Sequence, residues 1–200
     1  MNYQEFLREQ VFRPNVEDKT VLEIAPLTGL HSELINSCVP KSHATVDPQF
    51  KPTFKGTLND YINSGEYQTF DVVTCMGVLY HLHSPLHMLE QIINHCKPRT
   101  LIIETFTKSY RQEIEPYGQH GMACADRDIK HPICIRSQLS RVDITQAIET
   151  TPMQLDKYWD YWPNGPNWPD GYMEEFKDDE HQNWVNGKHG QFVGVFKWVD

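Results

Sequence analysis

Three short apolar runs, separated by segments with helical spacing, constrain the fold of this chain more than any other feature. The runs extend from Lys19 to Ala25, from Phe70 to Cys75 and from Arg99 to Thr105. Uninterrupted apolar runs of this length are typical of strands that a parallel sheet buries on both faces. Strands that alternate with helices predict a doubly wound α/β fold with right-handed crossovers.

The units between these runs follow the same pattern. The first strand leads into a turn at Pro26 to Gly29 and then into a helix with apolar residues at Leu30, Leu34 and Ile35. A second strand from His43 to Val46 ends at Asp47. A third strand is predicted from Phe54 to Leu58. An amphipathic helix is predicted from Ser84 to Cys96, with Pro85 near its first position.

The two ends of the chain carry weaker patterns. A helix from Tyr3 to Phe12 is predicted to end at Pro14, and a further helix from Ile135 to Ile148. Alternating apolar residues predict a closing strand from Gly190 to Val199. The stretch from Tyr158 to Tyr172, rich in Trp, Tyr, Pro and Gly, is interpreted as an irregular loop or lid.

Together these patterns predict an α/β fold: a Rossmann-like, doubly wound, mostly parallel sheet with a C-terminal antiparallel strand and an aromatic-rich loop. A chain of 200 residues with 39% hydrophobic residues is long enough for one sizeable core and too short for two. We expect one domain over residues 1–200, with its motifs in residues 19–106 and a substrate or lid region at about 107–189.

Charge and cysteine content limit the classes of function. The net charge of −9 argues against a broad electrostatic grip on nucleic acid. No apolar run is long enough to cross a membrane, and the first residues lack the pattern of a secretion signal. The five cysteines are odd in number and contain no CxxC pair, so we expect no disulfide framework and a cytoplasmic protein.

Polar residues follow the predicted strands at the edge where open parallel sheets bind ligands. Asp47 at the end of the second strand can accept hydrogen bonds from both hydroxyls of a ribose, or can form the turn before Pro48. Glu23 lies inside an apolar strand, where an unpaired carboxylate is costly. We therefore expect it to meet backbone amides or a ligand amine.

Two segments resemble the class I S-adenosylmethionine (SAM)-dependent methyltransferases. VLEIAPLTGLHSEL resembles their first-strand motif, an acid followed by alternating glycines, although Ala25 and Leu27 stand where two of the glycines are usual. FDVVTCMGVLYHLHSPLHMLEQI resembles the fourth-strand segment of the subgroup with the tRNA-uridine carboxymethyltransferases and similar small-molecule methyltransferases. The resemblance covers about Thr20 to Thr105.

This resemblance implies that the chain binds SAM and transfers its methyl group. It implies that Glu23 lies near the amino-acid part of SAM, that Asp47 holds the ribose, and that Leu58 to Asp60 flank the adenine. The implied cofactor-binding residues are Glu23, Ala25, Pro26, Thr28, Gly29, Asp47, Asn59, Asp60, Met76 and Gly77, of which the last two line the methionine side.

Candidate catalytic residues follow the fourth strand. Tyr80 and His81 are interpreted as pocket residues, with His81 able to remove a proton from an acceptor; packing or helix capping is the alternative. His83 and His87 have the spacing of a shared helix face, but Pro85 disturbs the first turn and no nearby carboxylate or thiolate completes a set. We expect no metal.

Substrate contacts are expected beyond the fifth strand. Arg111 or Arg136 could bind a carboxylate or phosphate. Trp159 in the aromatic stretch could contact a cationic group or could cover the sheet edge. Three functions stay open: methyl transfer to a small polar acceptor, a silent SAM-fold binding protein because of Leu27, and modification of tRNA.

Overall fold

A seven-stranded sheet organises the chain. The computed structural model describes residues 3–26, 29–49, 51–65, 68–82, 84–108, 113–117, 134–161 and 189–199. The strands of the sheet lie in the order β3-β2-β1-β4-β5-β9-β8. In chain order they are β1 (Thr20–Ile24), β2 (Ser42–Asp47), β3 (Phe54–Lys55), β4 (Val72–Met76), β5 (Thr100–Lys108), β8 (Met153–Tyr161) and β9 (His189–Trp198). Strands β6 (Glu113–Tyr117) and β7 (Cys134–Gln138) form a separate antiparallel pair.

The first five strands of the sheet are parallel, and β9 runs antiparallel to both of its neighbours. The predicted Rossmann-like, mostly parallel sheet with a C-terminal antiparallel strand is therefore confirmed. Among the described helices, none is both long and apolar enough to span a membrane.

Helices cover both faces of the sheet. On one face lie the N-terminal helical run of residues 3–16 and α3, and on the other lie the remaining α-helices. The N-terminal helical run consists of α1 (Tyr3–Phe6), a π-helix (Leu7–Phe12) and α2 (Arg13–Val16). The other helices are α3 (Leu30–Ser37), α4 (Leu58–Asn63), a 3-10 turn (Leu79–His81), α5 (Pro85–Gln91), a π-helix (Ile92–Cys96) and α6 (Arg141–Glu149).

The predicted helix from Ile135 to Ile148 is wrong in its first half. The chain forms strand β7 there, and the helix begins only after Ser140. The Ser140 hydroxyl accepts the backbone N–H of Asp143, whose carboxylate accepts the N–H of Ser140. This capping box fixes the start of α6, because it satisfies donors that the first turn leaves without partners.

Two other boundaries differ from the predictions. The third strand ends at Lys55 instead of Leu58, because Thr57 and Asp60 form a second capping box that begins α4. The N-terminal helical run continues through Pro14 to Val16. Pro14 stands in the first turn of α2, where a missing N–H costs little.

The predicted aromatic loop is a strand in its first residues. Tyr158 to Tyr161 complete β8, which pairs with β9 at the sheet edge. The rest of that predicted loop lies outside the described residues. The predicted closing strand is confirmed as β9.

Candidate functional site

Four residues at the ends of adjacent strands form a row at the carboxyl edge of the sheet. Ile24 of β1 pairs with Val46 of β2 and with Cys75 of β4. Met76 of β4 pairs with Glu104 of β5. The row that follows from this register is Asp47, Ala25, Met76 and Glu104. With strands about 4.8 Å apart, the row spans roughly 14 Å. It crosses the boundary between β1 and β4, where the connections change direction and open α/β sheets bind ligands.

The first and last residues of the turn after β1 have left-handed backbone conformations. Ala25 has φ +54° and Gly29 has φ +83°, both in the left-handed region. The Gly29 N–H donates to the carbonyl of Pro26 at 2.9 Å, and Gly29 begins α3. The left-handed backbone at Ala25 explains why glycine is usual at this position.

Glu23 is held in a buried polar network beneath this turn. Its Oε2 accepts a hydrogen bond from the Ser32 hydroxyl and lies 3.1 Å from Nε2 of His43. The other ring nitrogen of His43 lies 3.1 Å from Oδ1 of Asn36. The predicted need for a partner is therefore met by side chains of α3 and β2, which the sequence analysis missed. The Oε1 of Glu23 is buried and has no hydrogen-bond partner among the described residues.

Asp47 is 3% exposed at the end of β2. Its Oδ1 accepts the backbone N–H of Gln49 at 2.7 Å, and its carbonyl accepts the N–H of Gly56 at 3.0 Å. The carboxylate thus shapes the turn after β2, as one of the two interpretations predicted. Because Asp47 also stands at one end of the row, its ribose role is taken up below as a proposal.

Asn59 and Asp60 lie in the first turn of α4, and both are exposed. Oδ2 of Asp60 accepts the N–H and the hydroxyl of Thr57 at 2.8 and 2.7 Å. These hydrogen bonds from the Thr57 side chain and backbone hold the pKa of Asp60 below its ordinary value. In this structure the Asp60 carboxylate caps the helix.

The corner after β4 brings Gly77 and Tyr80 near Glu104. Gly77 has φ +71°, and its N–H donates to the Glu104 carbonyl at 2.9 Å. A Cβ at Gly77 would lie 3.5 Å from Oε2 of Glu104 and 3.7 Å from the Tyr80 hydroxyl. The Tyr80 and His81 rings stand 4.2 Å apart in the following turn.

Glu104 is the main site residue that the sequence analysis did not name. It is buried at 4% exposure, and the amide nitrogen of Gln191 donates to its Oε1. Burial raises its pKa to about 7, although the hydrogen bond from Gln191 acts in the opposite direction. An acid at the end of an apolar run was the available signal, the same signal that identified Glu23.

Three of the remaining predicted residues have no described side chain. Thr28 and Arg111 lie outside the described residues, and Arg136 lies on β7, where only the backbone is described. Trp159 on β8 packs edge to face on Phe6, with ring centroids 5.4 Å apart. The described residues contain no cluster of three His, Cys, Asp or Glu side chains that could hold a metal ion.

A sequence profile described as "Methyltransferase domain" matches residues 3–187. The chain belongs to the methyltransferase domain family. The resemblance to SAM-dependent methyltransferases is thereby confirmed. Two features of this methyltransferase domain fit that cofactor: the left-handed residues Ala25 and Gly29 after β1, and the buried Oε1 of Glu23.

Individual relatives are distant. The tRNA U34 carboxymethyltransferase of Nautilia profundicola is 30% identical over 125 residues, which cover 51% of this chain and 41% of that protein. The methyltransferase domain thus spans less than half the length of this relative.

Solved structures share the fold at low sequence identity. One is the 1,6-didemethyltoxoflavin-N1-methyltransferase of Burkholderia thailandensis with bound 1,6-didemethyltoxoflavin and S-adenosylhomocysteine (SAH) (TM-score 0.62, 10% identity, 100% of this chain and 80% of that chain). Another is an S-adenosylmethionine-dependent methyltransferase of Mesorhizobium loti (TM-score 0.58, 8% identity, 97% of each chain).

Proposed function

We propose that this protein transfers a methyl group from SAM to a small polar acceptor. The observation that carries the proposal is the row of Asp47, Ala25, Met76 and Glu104 across the change in connection direction, in a chain of the methyltransferase domain family. A nucleoside binds at the Asp47 end, and an acceptor binds at the Glu104 end.

The residues around β1 and β2 would hold the cofactor. The Asp47 carboxylate would accept hydrogen bonds from the ribose hydroxyls, and Oε1 of Glu23 would accept one from the amino group. The turn with Thr28 and Gly29 would lie against the amino-acid part. Asn59 would flank the adenine, whereas Asp60 would act mainly by fixing the start of α4, because its carboxylate caps the helix.

The residues after β4 would shape the reacting end. Met76 and Gly77 would line the methionine part, and Tyr80 with His81 would form the wall towards the acceptor. When bound, SAM supplies an electrophilic methyl group, and the protein's task is to hold the acceptor in line with it and exclude water. Arg111, Arg136 and Trp159 remain candidates for contacting the acceptor.

A small acceptor is favoured over tRNA by charge. The Nautilia relative is named as a tRNA-modifying enzyme, but the match covers 41% of its length. The net charge of −9 opposes a phosphate backbone. The Burkholderia neighbour was crystallised with a small heteroaromatic molecule, which supports a small acceptor by likeness of fold.

Isothermal titration with SAM and with SAH tests the proposal. Wild-type protein should bind both, and Asp47→Ala should weaken binding at least tenfold, because a buried acceptor of two hydrogen bonds is lost. Asp143→Ala is the matched control, because this aspartate caps α6 away from the row and its loss should leave the affinity unchanged. Failure of the wild type to bind either compound would contradict the proposal.

The same protein then distinguishes the silent alternative. Incubation with radiolabelled SAM and the small-molecule fraction of a cell extract should label an acceptor. SAH binding without transfer to any fraction would favour a regulatory SAM-fold protein. Leu27, which stands where a glycine is usual, is the residue that suggested this alternative.

We also propose that the protein acts in the cytoplasm. Cys38, Cys75 and Cys96, three of the five cysteines, are buried free thiols, which suit a reducing compartment. Fractionation of cells that express the tagged protein would test this, and recovery in an oxidising compartment would contradict it.

A further inference from the structure

A buried polar cluster lies beneath the N-terminal helical run, at the acceptor end of the row. Glu104 and Gln191 are each 4% exposed, and the Gln191 amide donates both to Oε1 of Glu104 and, at 2.9 Å, to the Tyr3 hydroxyl. The cluster therefore joins β5, β9 and the first helix. Burying the Glu104 carboxyl here costs free energy, which suggests that this carboxyl has a functional role.

Two oxygens of this cluster, one from Gln191 and one from Glu104, bear on a ligand site. The Oε1 of Gln191 is buried and has no hydrogen-bond partner among the described residues. The Oε2 of Glu104 lies 3.5 Å from the point where a Cβ on Gly77 would stand. That point is also 3.7 Å from the Tyr80 hydroxyl. Because Gly77 has no side chain, a small group there would contact Oε2 of Glu104 and the Tyr80 hydroxyl.

We propose that Glu104 accepts the proton of the acceptor during methyl transfer, and that the acceptor is a neutral hydroxyl or N–H group. This inference rests on the proposed function and deepens it. A neutral protic acceptor would donate to Oε2 of Glu104. A second donor on the same molecule would pair with Oε1 of Gln191.

The proposed step balances in atoms and charge. The acceptor's O–H or N–H bond breaks and its proton passes to Glu104, while its lone pair forms a bond to the methyl carbon. The carbon–sulfur bond of SAM breaks, and its electron pair remains on sulfur. A sulfonium, a neutral acceptor and a carboxylate become a thioether, a methylated acceptor and a carboxylic acid. The acid then releases its proton to solvent.

The surroundings of Glu104 suit a base that works near neutral pH. Burial raises its pKa to about 7. Among the described residues, the titratable groups around it are Tyr3 from the first helix, Tyr80 from the turn after β4 and Cys75 from β4. Burial raises the pKa of Cys75 to about 12, so this thiol stays protonated while Glu104 titrates.

The test compares Glu104→Gln with wild type in transfer of labelled methyl from SAM to the small-molecule fraction of a cell extract. We expect the wild-type rate to rise with pH up to about 7 and then level off. Glu104→Gln should lose about 100-fold or more of the rate, while its SAH affinity by titration stays within about twofold. Glu90→Gln removes a carboxylate whose side chain is 63% exposed on α5, and it should behave as wild type.

Infrared difference spectra supply a readout that needs no acceptor. In the SAH-bound protein, a protonated-carboxyl C=O band should disappear as pH rises through about 7, and Glu104→Gln should lack this band. Gln191→Leu removes a hydrogen bond that lowers the pKa of Glu104, so both the band and the rate profile should shift to higher pH.

Each outcome decides between the two proposals. No SAH binding, or no transfer by the wild type, counts against the proposed function and the inference that rests on it. Transfer by Glu104→Gln at the wild-type rate and pH profile overturns the role of Glu104 alone. If Glu104→Gln does not fold, an unshifted rate profile in Gln191→Leu overturns it equally.

Discussion

At the scale of single residues, Ala25 carries a backbone conformation that alanine tolerates poorly. Its φ of +54° places the Cβ close to the following carbonyl oxygen. Its N–H donates to the Val46 carbonyl at 2.8 Å, which ties the strained residue to β2. The neighbouring strand therefore holds Ala25 in place, and the strain lies at the proposed cofactor turn.

We expect Ala25→Gly to stabilise the protein. Relief of the left-handed conformation should stabilise the folded protein by about 1–2 kcal/mol. The greater conformational freedom of glycine in the unfolded chain should offset about 0.5–1 kcal/mol of this gain. The free energy of unfolding in urea should rise by about 0.5–1 kcal/mol. Ala44→Gly, which changes a partly buried strand alanine beside the same core, should lower it by about as much. Destabilisation by both variants would contradict the strain at Ala25.

Glu104 gives the protein a pH dependence of opposite sign to most carboxyls. Burial raises its pKa to about 7 from 4.5, so the folded protein keeps a proton that the unfolded chain has released. Its contribution to stability is fully present below pH 4.5 and is lost as pH rises through 7. Asp60 and Asp71 have lowered pKa values and act in the opposite direction at lower pH.

The difference between wild type and Glu104→Gln isolates this effect. Because the pKa of Glu104 is about 7 in the folded protein and 4.5 in the unfolded chain, wild type should lose about 3 kcal/mol relative to the variant between pH 4.5 and pH 8. Urea unfolding at intervals of half a pH unit measures the difference, in which the contributions of the other carboxyls cancel. A constant difference across that range would show that Glu104 titrates normally in the folded protein.

At the scale of elements, capping boxes decide where two helices begin. Ser140 is 4% exposed and Thr57 is exposed, although both make the same pair of hydrogen bonds. A buried cap leaves its donors without water when it is removed, so its loss is more costly than that of an exposed cap.

Removal of each cap should therefore have unequal effects. Ser140→Ala should lower the free energy of unfolding by about 2 kcal/mol, and Thr57→Ala by about 1 kcal/mol or less. Ser140→Thr keeps the hydroxyl and serves as the control. Equal losses in the two alanine variants would show that burial of the cap does not matter.

The central strands could be predicted from the sequence, whereas the starts of these two helices could not. The strands β1, β4 and β5 are buried on both faces, so their sequences are continuous apolar runs that can be recognised without the structure. The boundaries at Leu58 and Arg141 depend on a hydroxyl three residues before an aspartate. That pattern is present in the sequence, but the predictions relied on apolar periodicity, and the apolar pattern continues through both cap positions without a break.

At the scale of the whole molecule, the parallel sheet made half of the site predictable. Strand ends that are far apart in sequence must meet at one edge, so Glu23, Asp47 and Met76 could be placed from order alone. The cluster at Glu104 could not, because Gln191 lies 87 positions from Glu104 and 188 from Tyr3. Such contacts depend on the antiparallel register of β9 and on the helix above it, and neither has a local signature.

The charge of the whole molecule gives the final prediction. Binding to tRNA relies on Lys and Arg that neutralise phosphates, and this chain has 18 of them against 27 acidic residues. We expect total tRNA to show no mobility shift with the protein at 0.15 M salt, and labelled methyl groups to appear in small molecules instead of RNA. Lower salt should strengthen any residual binding in proportion to the few phosphates contacted. Methyl label in the tRNA fraction at physiological salt would reverse the choice of acceptor and assign the basic contacts to a small patch that net charge does not reveal.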